Sequence, residues 1–326
     1  MKPNMSVSVL MATYNDWESI TLLLPRIDAE LNTLNAVGKI VIIDDCSSDV
    51  VKREEIEKIN FSNIRSVEIV DLYRNLGHQR ALATGIAYCS TLDAVDYVIV
   101  MDSDEEDDPR YIPELIRTCE SKENKNIIFA GRTQRSEGLV FRSCYKIYQM
   151  LYKMLAGLSI SMGNYSVIPW CQLKRVAHIA ELWSSYPAGV MKAKIPFFST
   201  PTMRGVRSVG SSRMNFTSLV LHAFGGFAVH AEVIGTRILL LSVVLGTIVA
   251  CFGLTILGLK IFTNLAIVGW TSQILVLLII LVFQMAVAAI LMKFMVISVR
   301  MQYPMIPFYE YKKFIMSINE IVKSDD

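Results

Sequence analysis

Two long apolar stretches near the C-terminus constrain the fold of this chain more than any other feature. No Asp, Glu, Lys or Arg occurs in residues 238–259 or 261–292, and Lys260 alone separates the two stretches. A membrane-spanning helix needs roughly 20 apolar residues, so we predict one span at 238–259 and a second at 273–292. A pair of buried core helices is the alternative, but core helices rarely run so long without a charge.

Basic residues on both sides of these stretches predict the orientation of the spans. Arginines are frequent in residues 204–237, just before the first span, and further basic residues follow the second span, whereas the connecting loop offers only Lys260. Lys and Arg concentrate in cytoplasmic loops, so both termini and a domain of residues 1–212 are expected in the cytoplasm. Residues 213–237 are expected to lie at the membrane interface, with a plain connector helix as the alternative, and residues 293–326 to form a cytoplasmic tail. The flanking residues are Arg204, Arg207, Arg213, Arg237, Lys293, Arg300, Lys312 and Lys313.

The overall charge and the cysteines exclude two other classes of protein. With 32 basic and 30 acidic residues the net charge is +2, which lacks the basic excess of nucleic-acid binders. The six cysteines show no C-x-x-C spacing, which argues against a zinc module or a disulfide scaffold and favours reduced thiols. These cysteines are Cys46, Cys89, Cys119, Cys144, Cys171 and Cys251.

Short β-branched runs alternate with helical patterns over the first 120 to 130 residues. This alternation predicts an α/β fold with a mainly parallel sheet covered on both faces. Ligands of such sheets bind beyond the carboxyl ends of the strands, so functional residues are expected there. Strands are predicted at 7–11, 40–43, 67–70, 97–100 and 127–129, and helices at 17–34, 51–59, 79–92 and 109–119.

Polar and acidic side chains follow the first two predicted strands. Thr13, Tyr14 and Asp16 come after the first strand, and Asp44 and Asp45 after the second. Either of the latter two aspartates could accept a hydrogen bond from a nucleotide base, and Tyr14 could stack on that base; ordinary turn chemistry is the alternative. No G-x-G-x-x-G or G-x-x-x-x-G-K-[ST] motif is present, which argues against dinucleotide oxidoreductases and P-loop NTPases.

An acidic run follows the fourth predicted strand. Asp102, Asp104 and Glu106 alternate along it, and in an extended segment side chains two residues apart share a face. The three carboxylates are therefore expected to converge on Mg²⁺ or Mn²⁺ together with substrate phosphates. The alternative is a solvated acidic loop in which Asp107 or Asp108 caps the next helix, and one loop can do both.

Several motifs, taken together, resemble those of a known family. They are Thr13-Tyr14-Asn15, the run from Ile42 to Asp49, the run from Arg74 to Leu82, Met101-Asp102-Ser103-Asp104 with Glu106 and Pro109, Gly131-Arg132, and the run from Arg207 to Arg213. In these motifs and in its two C-terminal spans the chain resembles the family 2 inverting glycosyltransferases. More closely, it resembles the membrane-anchored polyisoprenyl-phosphate glycosyltransferases related to dolichol-phosphate mannose synthase.

This resemblance implies a GT-A type, Rossmann-like domain that binds a nucleotide-sugar donor across the strand ends. It implies nucleotide-sugar contacts from Thr13, Tyr14, Asp16, Asp44, Asp45, Asp102 and Ser103, a Mg²⁺ or Mn²⁺ site at Asp102, Asp104 and Glu106, and catalytic roles for Asp104, Arg132, Arg207 and Arg213. The arginines would contact phosphate oxygens, to which guanidinium geometry is suited. For Arg207 and Arg213 the juxtamembrane basic excess is the alternative explanation, and for His78 we favour plain packing at a helix N-terminus.

One departure from the family bears on the acceptor. Family members commonly carry acidic residues around a G-D-F segment, where this chain reads Ser161-Met162-Gly163-Asn164-Tyr165-Ser166. An obvious general base is therefore missing, and a sugar hydroxyl needs one. A lipid phosphate does not, because a phosphate monoester with a second pKa near 6 is largely ionised at pH 7.

The expected activity is accordingly transfer of a hexose from a UDP- or GDP-sugar to a polyprenyl phosphate at the cytoplasmic membrane face. Transfer to a hydroxyl of a lipid-linked or cell-surface glycan is a second hypothesis, and a catalytically silent membrane scaffold is a third. The sequence leaves the nucleotide, the sugar, the prenyl chain length and any homo-oligomer open.

Overall fold

A computed structural model describes most of the chain, in two compact units. The first unit comprises Met1–Tyr148, Ile160–Val229 and Pro304–Asp326, and the second Gln149–Ser159 and His230–Tyr303. The described residues are 5–48, 53–132, 149–158, 162–203, 205, 224–263, 270–301 and 304–323.

The first unit is built on one eight-stranded sheet. In chain order its strands are β1 (Met5–Thr13), β2 (Ala36–Asp44), β3 (Ile64–Leu72), β4 (Tyr97–Asp102), β5 (Ile127–Arg132), β6 (Met162–Pro169), β7 (Phe197–Thr202) and β8 (Ile315–Lys323). They lie in the order β7-β5-β6-β4-β1-β2-β3-β8. β1 pairs in parallel with β2 and β4, β2 with β3, and β5 with β7, whereas β6 and β8 run antiparallel to their neighbours. The predicted mainly parallel sheet is confirmed.

Helices cover both faces of this sheet, as the strand sequences require. Successive strand residues point to opposite faces, so Leu10 packs with Ile86 in one buried cluster while Val9 packs with Ile20 in the other. The helices of the first unit are α1 (Trp17–Thr33), α2 (Arg53–Glu57), α3 (His78–Cys89), α4 (Ile112–Ser121), α6 (Trp170–Ala177), α7 (Tyr186–Lys192), α8 (224–229) and α11 (Pro307–Glu310), with α5 (149–156) in the second unit.

The C-terminal segment contributes a strand that the sequence did not indicate. β8 pairs with β3, and Ser317 Oγ and Asn319 Nδ2 donate hydrogen bonds of 2.8 and 2.9 Å to Asp71 Oδ2. The structure therefore gives the segment 293–326, predicted as a cytoplasmic tail, other bounds. Residues 293–301 continue the second apolar helix and 304–323 belong to the first unit, because the β-sheet edge at β3 provides backbone partners for the returning chain.

The second unit holds two long apolar helices, α9 (Ala231–Phe262) and α10 (Trp270–Met301). Both are long and apolar enough to cross a membrane, and only 6% of the most apolar window of each is buried. Core helices of a soluble protein would be buried, so this exposure excludes the core alternative and indicates a membrane protein. The predicted spans 238–259 and 273–292 lie inside α9 and α10. Of the predicted interfacial segment 213–237, residues 213–223 lie outside the described residues, and the rest forms α8 and the start of α9.

Candidate active site

Three parallel strands end side by side at one edge of the sheet. In the register of β1 with β2, Thr13 stands opposite Asp44, and in that of β1 with β4, Ala12 stands opposite Asp102. The carboxyl ends of parallel strands are where ligands of such sheets bind. The predicted meeting of the acidic strand ends at one edge is therefore present in the structure.

The loops after β1 and β2 are joined by hydrogen bonds through Asn15. Its backbone N–H donates to Ser47 Oγ at 2.8 Å, and its Oδ1 accepts from the Ser48 N–H at 2.8 Å. Asp44 is buried, and its Oδ1 accepts from the Ser47 N–H at 3.0 Å. Tyr14, between these groups, is 44% exposed, so its ring is available as the predicted stacking surface.

Thr13 and Asp16 flank this pair of loops. Thr13 is buried, and within the described part of the chain its Oγ1 has no hydrogen-bond partner. A buried hydroxyl without a partner is costly, so this atom is suited to meet a ligand at the edge. Asp16 directly precedes α1, but its side chain makes no capping hydrogen bond to that helix.

Asp45 fixes the start of α3. Its Oδ1 accepts from the Leu76 N–H at 2.6 Å and its Oδ2 from the Gly77 N–H at 2.9 Å. Gly77 adopts a φ of +85°, which favours glycine. Burial raises the pKa of Asp45, although the two backbone donors act in the opposite direction. Both carboxylate oxygens are thus directed at the helix start, which makes Asp44 the better candidate of the two for a base contact.

The acidic run after β4 forms a tight turn and does not stay extended. Glu105 has a left-handed φ of +65°, and Asp104 Oδ1 accepts from the Glu106 N–H at 3.2 Å. Ser103 is buried, and its Oγ donates to the Ala12 carbonyl at 3.0 Å. The predicted alternation of Asp102, Asp104 and Glu106 on one face is therefore wrong. Over the described residues, no group of three His, Cys, Asp or Glu side chains is arranged to hold a metal ion.

Asp108 caps the short 3₁₀ helix that follows, as one of the two alternatives predicted. Its Oδ1 accepts from the Arg110 N–H at 3.1 Å and from Arg26 Nη2 at 3.0 Å, and its Oδ2 accepts from Arg110 Nη2 at 2.6 Å. Burial acts to raise the pKa of Asp108, but these hydrogen bonds and the two guanidinium charges prevail and lower it. Arg26 Nη1 also lies 3.9 Å from the buried Glu105 carboxylate.

Two side chains that the sequence did not assign to the site contact Asp102. His78 Nε2 lies 3.1 Å and Asn164 Nδ2 3.2 Å from Asp102 Oδ1, and the two nitrogens are 2.9 Å apart. Burial acts to lower the pKa of His78, but Asp102, with Asp104 and Asp107, prevails and raises it. The interpretation of His78 as plain helix packing is therefore wrong. Two sequence signals pointed here, namely its place directly after Gly77 at the start of a helix and its membership of the Arg74 to Leu82 run.

The described edge suits a divalent metal through two carboxylates. Asp102 and Asp104 offer the hard oxygen ligands that Mg²⁺ and Mn²⁺ prefer, and a metal that also binds substrate phosphates needs only one or two protein ligands. The Asp102 side chain is 19% exposed, so it is within reach of a ligand from solvent.

Of the three predicted arginines, only Arg132 lies among the described residues, and only with its backbone. Arg132 is the last residue of β5, but its side chain lies outside the described residues, as do Arg207 and Arg213 entirely. Gly205, two residues before Arg207 in the sequence, donates its N–H to the Glu106 carbonyl at 2.8 Å. A Cβ at Gly205 would clash with the Glu105 carbonyl oxygen, so this close approach requires glycine.

The sequence of the chain matches a known protein family. The family model described as glycosyl transferase family 2 matches residues 8–183. Undecaprenyl-phosphate 4-deoxy-4-formamido-L-arabinose transferase of Salmonella paratyphi A is 29% identical over 163 residues, which is 50% of this chain and 47% of the relative. The protein of that name from Klebsiella pneumoniae is 26% identical over 228 residues, covering 67% of this chain and 65% of the relative. The matches thus span about half to two thirds of these relatives.

A solved structure shares the fold. Glucosyl-3-phosphoglycerate synthase from Mycobacterium tuberculosis, crystallised with Mn²⁺, UDP-glucose and phosphoglyceric acid, superposes with a TM-score of 0.51 at 14% identity. The superposition covers 71% of this chain and 80% of that one. At this identity the likeness concerns the architecture of the sheet and its helices.

Proposed function

Because the chain belongs to glycosyl transferase family 2, we propose that it transfers a hexose from a nucleotide-diphosphate sugar to a polyprenyl phosphate. The observation that carries this proposal is the strand-end edge, where Thr13, Asp44 and Asp102 stand side by side. The names of the relatives, which are undecaprenyl-phosphate sugar transferases, support the class of acceptor. The two apolar helices support an acceptor that resides in the membrane.

The donor is proposed to bind across the loops that Asn15 joins. The exposed ring of Tyr14 would stack on the base. Asp44 would accept a hydrogen bond from the nucleoside, and the buried Thr13 hydroxyl would donate one to it or accept one from it. Asp102 and Asp104 would face the diphosphate. Asp45 and Ser103 would act indirectly, because their side chains are bonded to the start of α3 and to β1.

A divalent metal, Mg²⁺ or Mn²⁺, bound by Asp102 and Asp104 would neutralise the charge that develops on the leaving diphosphate. The local charge supports this assignment. Five further acidic residues follow Asp102 within the next six positions. Among the described residues, Arg26 and Arg110 both bond to Asp108, Arg26 also approaches Glu105, and His78 contacts Asp102. A diphosphate placed beside Asp102 and Asp104 would meet like charge unless a cation lay between them.

The acceptor phosphate is proposed to attack the anomeric carbon in line with the departing diphosphate. No proton has to be removed from an ionised phosphate, so an amide at position 164 is compatible with the reaction. Arg132, Arg207 and Arg213 are proposed to contact phosphate oxygens of the donor or the acceptor. The role of the protein is then to align and to neutralise charge rather than to act as a base.

The sheet supports the proposed topology in the membrane. β8 follows both apolar helices in the chain, yet it pairs with β3, which precedes them. If α9 and α10 both cross the membrane, the chain returns to the side of β3 before β8, as an even number of crossings requires. Together with the basic flanks, this favours both termini in the cytoplasm and the loop at 263–269 outside.

The activity can be tested with the purified full chain. Polyprenyl phosphate and labelled UDP- or GDP-sugars are incubated with Mn²⁺, and an acid-labile labelled lipid is the expected product. Asp104→Asn should abolish that product. Asp93→Asn makes the same replacement of a carboxylate by an amide in an exposed loop and should leave the product unchanged.

The other hypotheses predict different results from the same assay. Donor turnover without a labelled lipid would favour a hydroxyl acceptor. Binding of nucleotide and Mn²⁺ without turnover on any acceptor would favour a silent scaffold, and either result would refute the proposal.

A further inference from the structure

Asn164 stands across the sheet from Asp102. β4 and β6 run antiparallel, with Tyr97 opposite Pro169 and Val100 opposite Ser166. Continuing this register by two residues brings Asn164 opposite Asp102, the last residue of β4. Their contact, Asn164 Nδ2 to Asp102 Oδ1 at 3.2 Å, therefore follows from the strand pairing and does not depend on a chance approach of two loops.

A chain of hydrogen bonds fixes which way the Asn164 amide points. The backbone N–H of Tyr186 can only donate, and it donates to Gln79 Oε1 at 2.9 Å. Gln79 must then present its NH₂ group, which donates to Asn164 Oδ1 at 3.1 Å. Asn164 in turn must present its own NH₂ group to Asp102. The direction of all three bonds is set by Tyr186, and the chain ends on a carboxylate that can accept.

From these three hydrogen bonds we infer that Asn164, oriented by Gln79, is a positioning residue that holds the Asp102 carboxylate in place for the donor diphosphate. The inference rests on the proposed function for the identity of the bound donor. Asn164 is buried, so water does not readily replace its NH₂ group.

An acid at position 164 would oppose this arrangement. Aspartate has the shape of asparagine but offers two acceptor oxygens, so it would face the Asp102 carboxylate directly across two strands, where like charges repel. Asn164→Asp is therefore expected to damage the site, although on grounds of general-base chemistry alone it could be expected to improve it. The positioning role thus predicts a lower kcat for Asn164→Asp, whereas a general-base role predicts a higher one.

Gln79→Glu tests the same chain from a distance. A glutamate at position 79 still accepts from the Tyr186 N–H, but it then turns an acceptor oxygen toward Asn164. Asn164 has to reverse its amide and turn Oδ1 toward Asp102, which removes the hydrogen bond to the carboxylate. Among the described residues Gln79 bonds Asn164 and the Tyr186 N–H, so the change in hydrogen bonding reaches the donor site through Asn164, and the added charge acts on the site through space as well.

The experiment compares these variants in the purified full chain. The readouts are apparent Tm without ligand, Kd for UDP and for GDP in the presence of Mn²⁺, and kcat and KM for polyprenyl phosphate. Asn164→Asp and Gln79→Glu are each expected to weaken nucleotide binding about tenfold and to lower kcat about 10- to 100-fold, as loss of a hydrogen bond to a charged group does. The KM for polyprenyl phosphate should change by less than about threefold, because that phosphate is not what Asp102 holds.

Two controls separate positioning from general damage. Asn124→Asp adds the same charge by the same atoms, but Asn124 bonds the Tyr97 hydroxyl through an acceptor oxygen that aspartate keeps, so all readouts should stay near those of the wild type. The exchange Asp102→Asn with Asn164→Asp restores a donor and an acceptor across the strands. It should recover any Tm lost in Asn164→Asp without recovering nucleotide binding.

The outcomes distinguish this inference from the proposed function. Full or raised kcat and unchanged nucleotide binding in Asn164→Asp would overturn the inference while leaving the transferase activity intact. Wild-type kcat and wild-type nucleotide binding in Gln79→Glu would also overturn it. A wild-type chain that binds nucleotide but does not use polyprenyl phosphate would refute the proposed function, and the Kd comparison would still decide the role of Asn164. A wild-type chain that binds neither UDP nor GDP would overturn both.

Discussion

Asp45 provides a sharp test of how the strand-end edge is built. Asp45→Asn keeps the shape of the side chain but replaces one of its two acceptor oxygens with an NH₂ group. In the wild type those oxygens accept from the backbone N–H groups of Leu76 and Gly77 at 2.6 and 2.9 Å. The variant can satisfy only one of them and directs a donor at the other, so α3 should lose part of its anchor.

The expected loss follows from the two opposing contributions. A hydrogen bond to a charged acceptor contributes about 1.5–3 kcal/mol, and loss of the buried charge offsets part of this, because burial makes that charge unfavourable. We therefore expect a net loss of about 1–3 kcal/mol. For a domain of this size that corresponds to a decrease in Tm of roughly 2–12 °C.

The pH dependence of this loss has a definite sign. The pKa of Asp45 is raised above 3.8 in the folded chain, so the folded state holds this proton more tightly than the unfolded state does. The contribution of Asp45 to stability is thus fully present below about 3.8 and decreases as the pH rises through the folded pKa. The Tm difference between wild type and Asp45→Asn should accordingly be larger near pH 4 than at pH 7.

Thermal unfolding of the detergent-purified chain at one scan rate, with nucleotide affinity measured alongside, checks this prediction. Asp93→Asn, in an exposed loop, is the control for loss of one negative charge. An unchanged Tm in Asp45→Asn, combined with loss of nucleotide binding, would show that Asp45 contacts the base and that its bonds to α3 are dispensable.

Three further predictions follow from the acidic turn. Gly205→Ala places a methyl group against the Glu105 carbonyl oxygen and should lower transfer about 10- to 100-fold by displacing the turn. Gly258→Ala, where a Cβ meets nothing within 4 Å, should leave transfer unchanged, and equal activity of the two variants would show that the contact at Gly205 does not matter. Asp108→Asn should lower Tm at pH 7, and because the pKa of Asp108 is lowered, the Tm difference should close as the pH falls below about 3.8; a difference that widens in acid would reverse the sign. Removal of divalent metal with EDTA should abolish the rise in Tm that a bound nucleotide diphosphate produces, and Mn²⁺ should restore it. An equal rise in Tm in the presence of EDTA would show that the nucleotide binds without a metal.

The sequence was sufficient for the parts of the fold that depend on local pattern. Every strand predicted from a β-branched run lies within a strand of the structure, because alternation of strand and helix leaves few parallel arrangements of such a chain. Thr13, Asp44 and Asp102 could be assigned to one edge for the same reason. The two apolar helices needed only length and the absence of charge.

The parts that the sequence missed depend on contacts between distant residues. Asn164 reaches Asp102 across 62 positions, through a β4–β6 register that no local pattern encodes. The extended path expected for the acidic run is broken by one residue, Glu105, in a left-handed conformation, and Gly205 approaches that turn from 99 positions away. β8 went unrecognised because its partner β3 lies on the other side of both apolar helices in the sequence.

Charge balance connects the proposed donor, acceptor and site. The proposed reaction brings a diphosphate and a lipid phosphate to an edge that already carries the carboxylates of Asp44, Asp102 and Asp104, so five anionic groups have to share that edge. Arg26 and Arg110 cannot resolve this, because Asp108 already holds both of them. His78 lies against Asp102, and the remaining positive charge is proposed to come from a bound cation and from Arg132, Arg207 and Arg213. An additional carboxylate at position 164 would worsen this balance, whereas an amide that donates to Asp102 improves it, and a phosphate acceptor makes the missing base unnecessary.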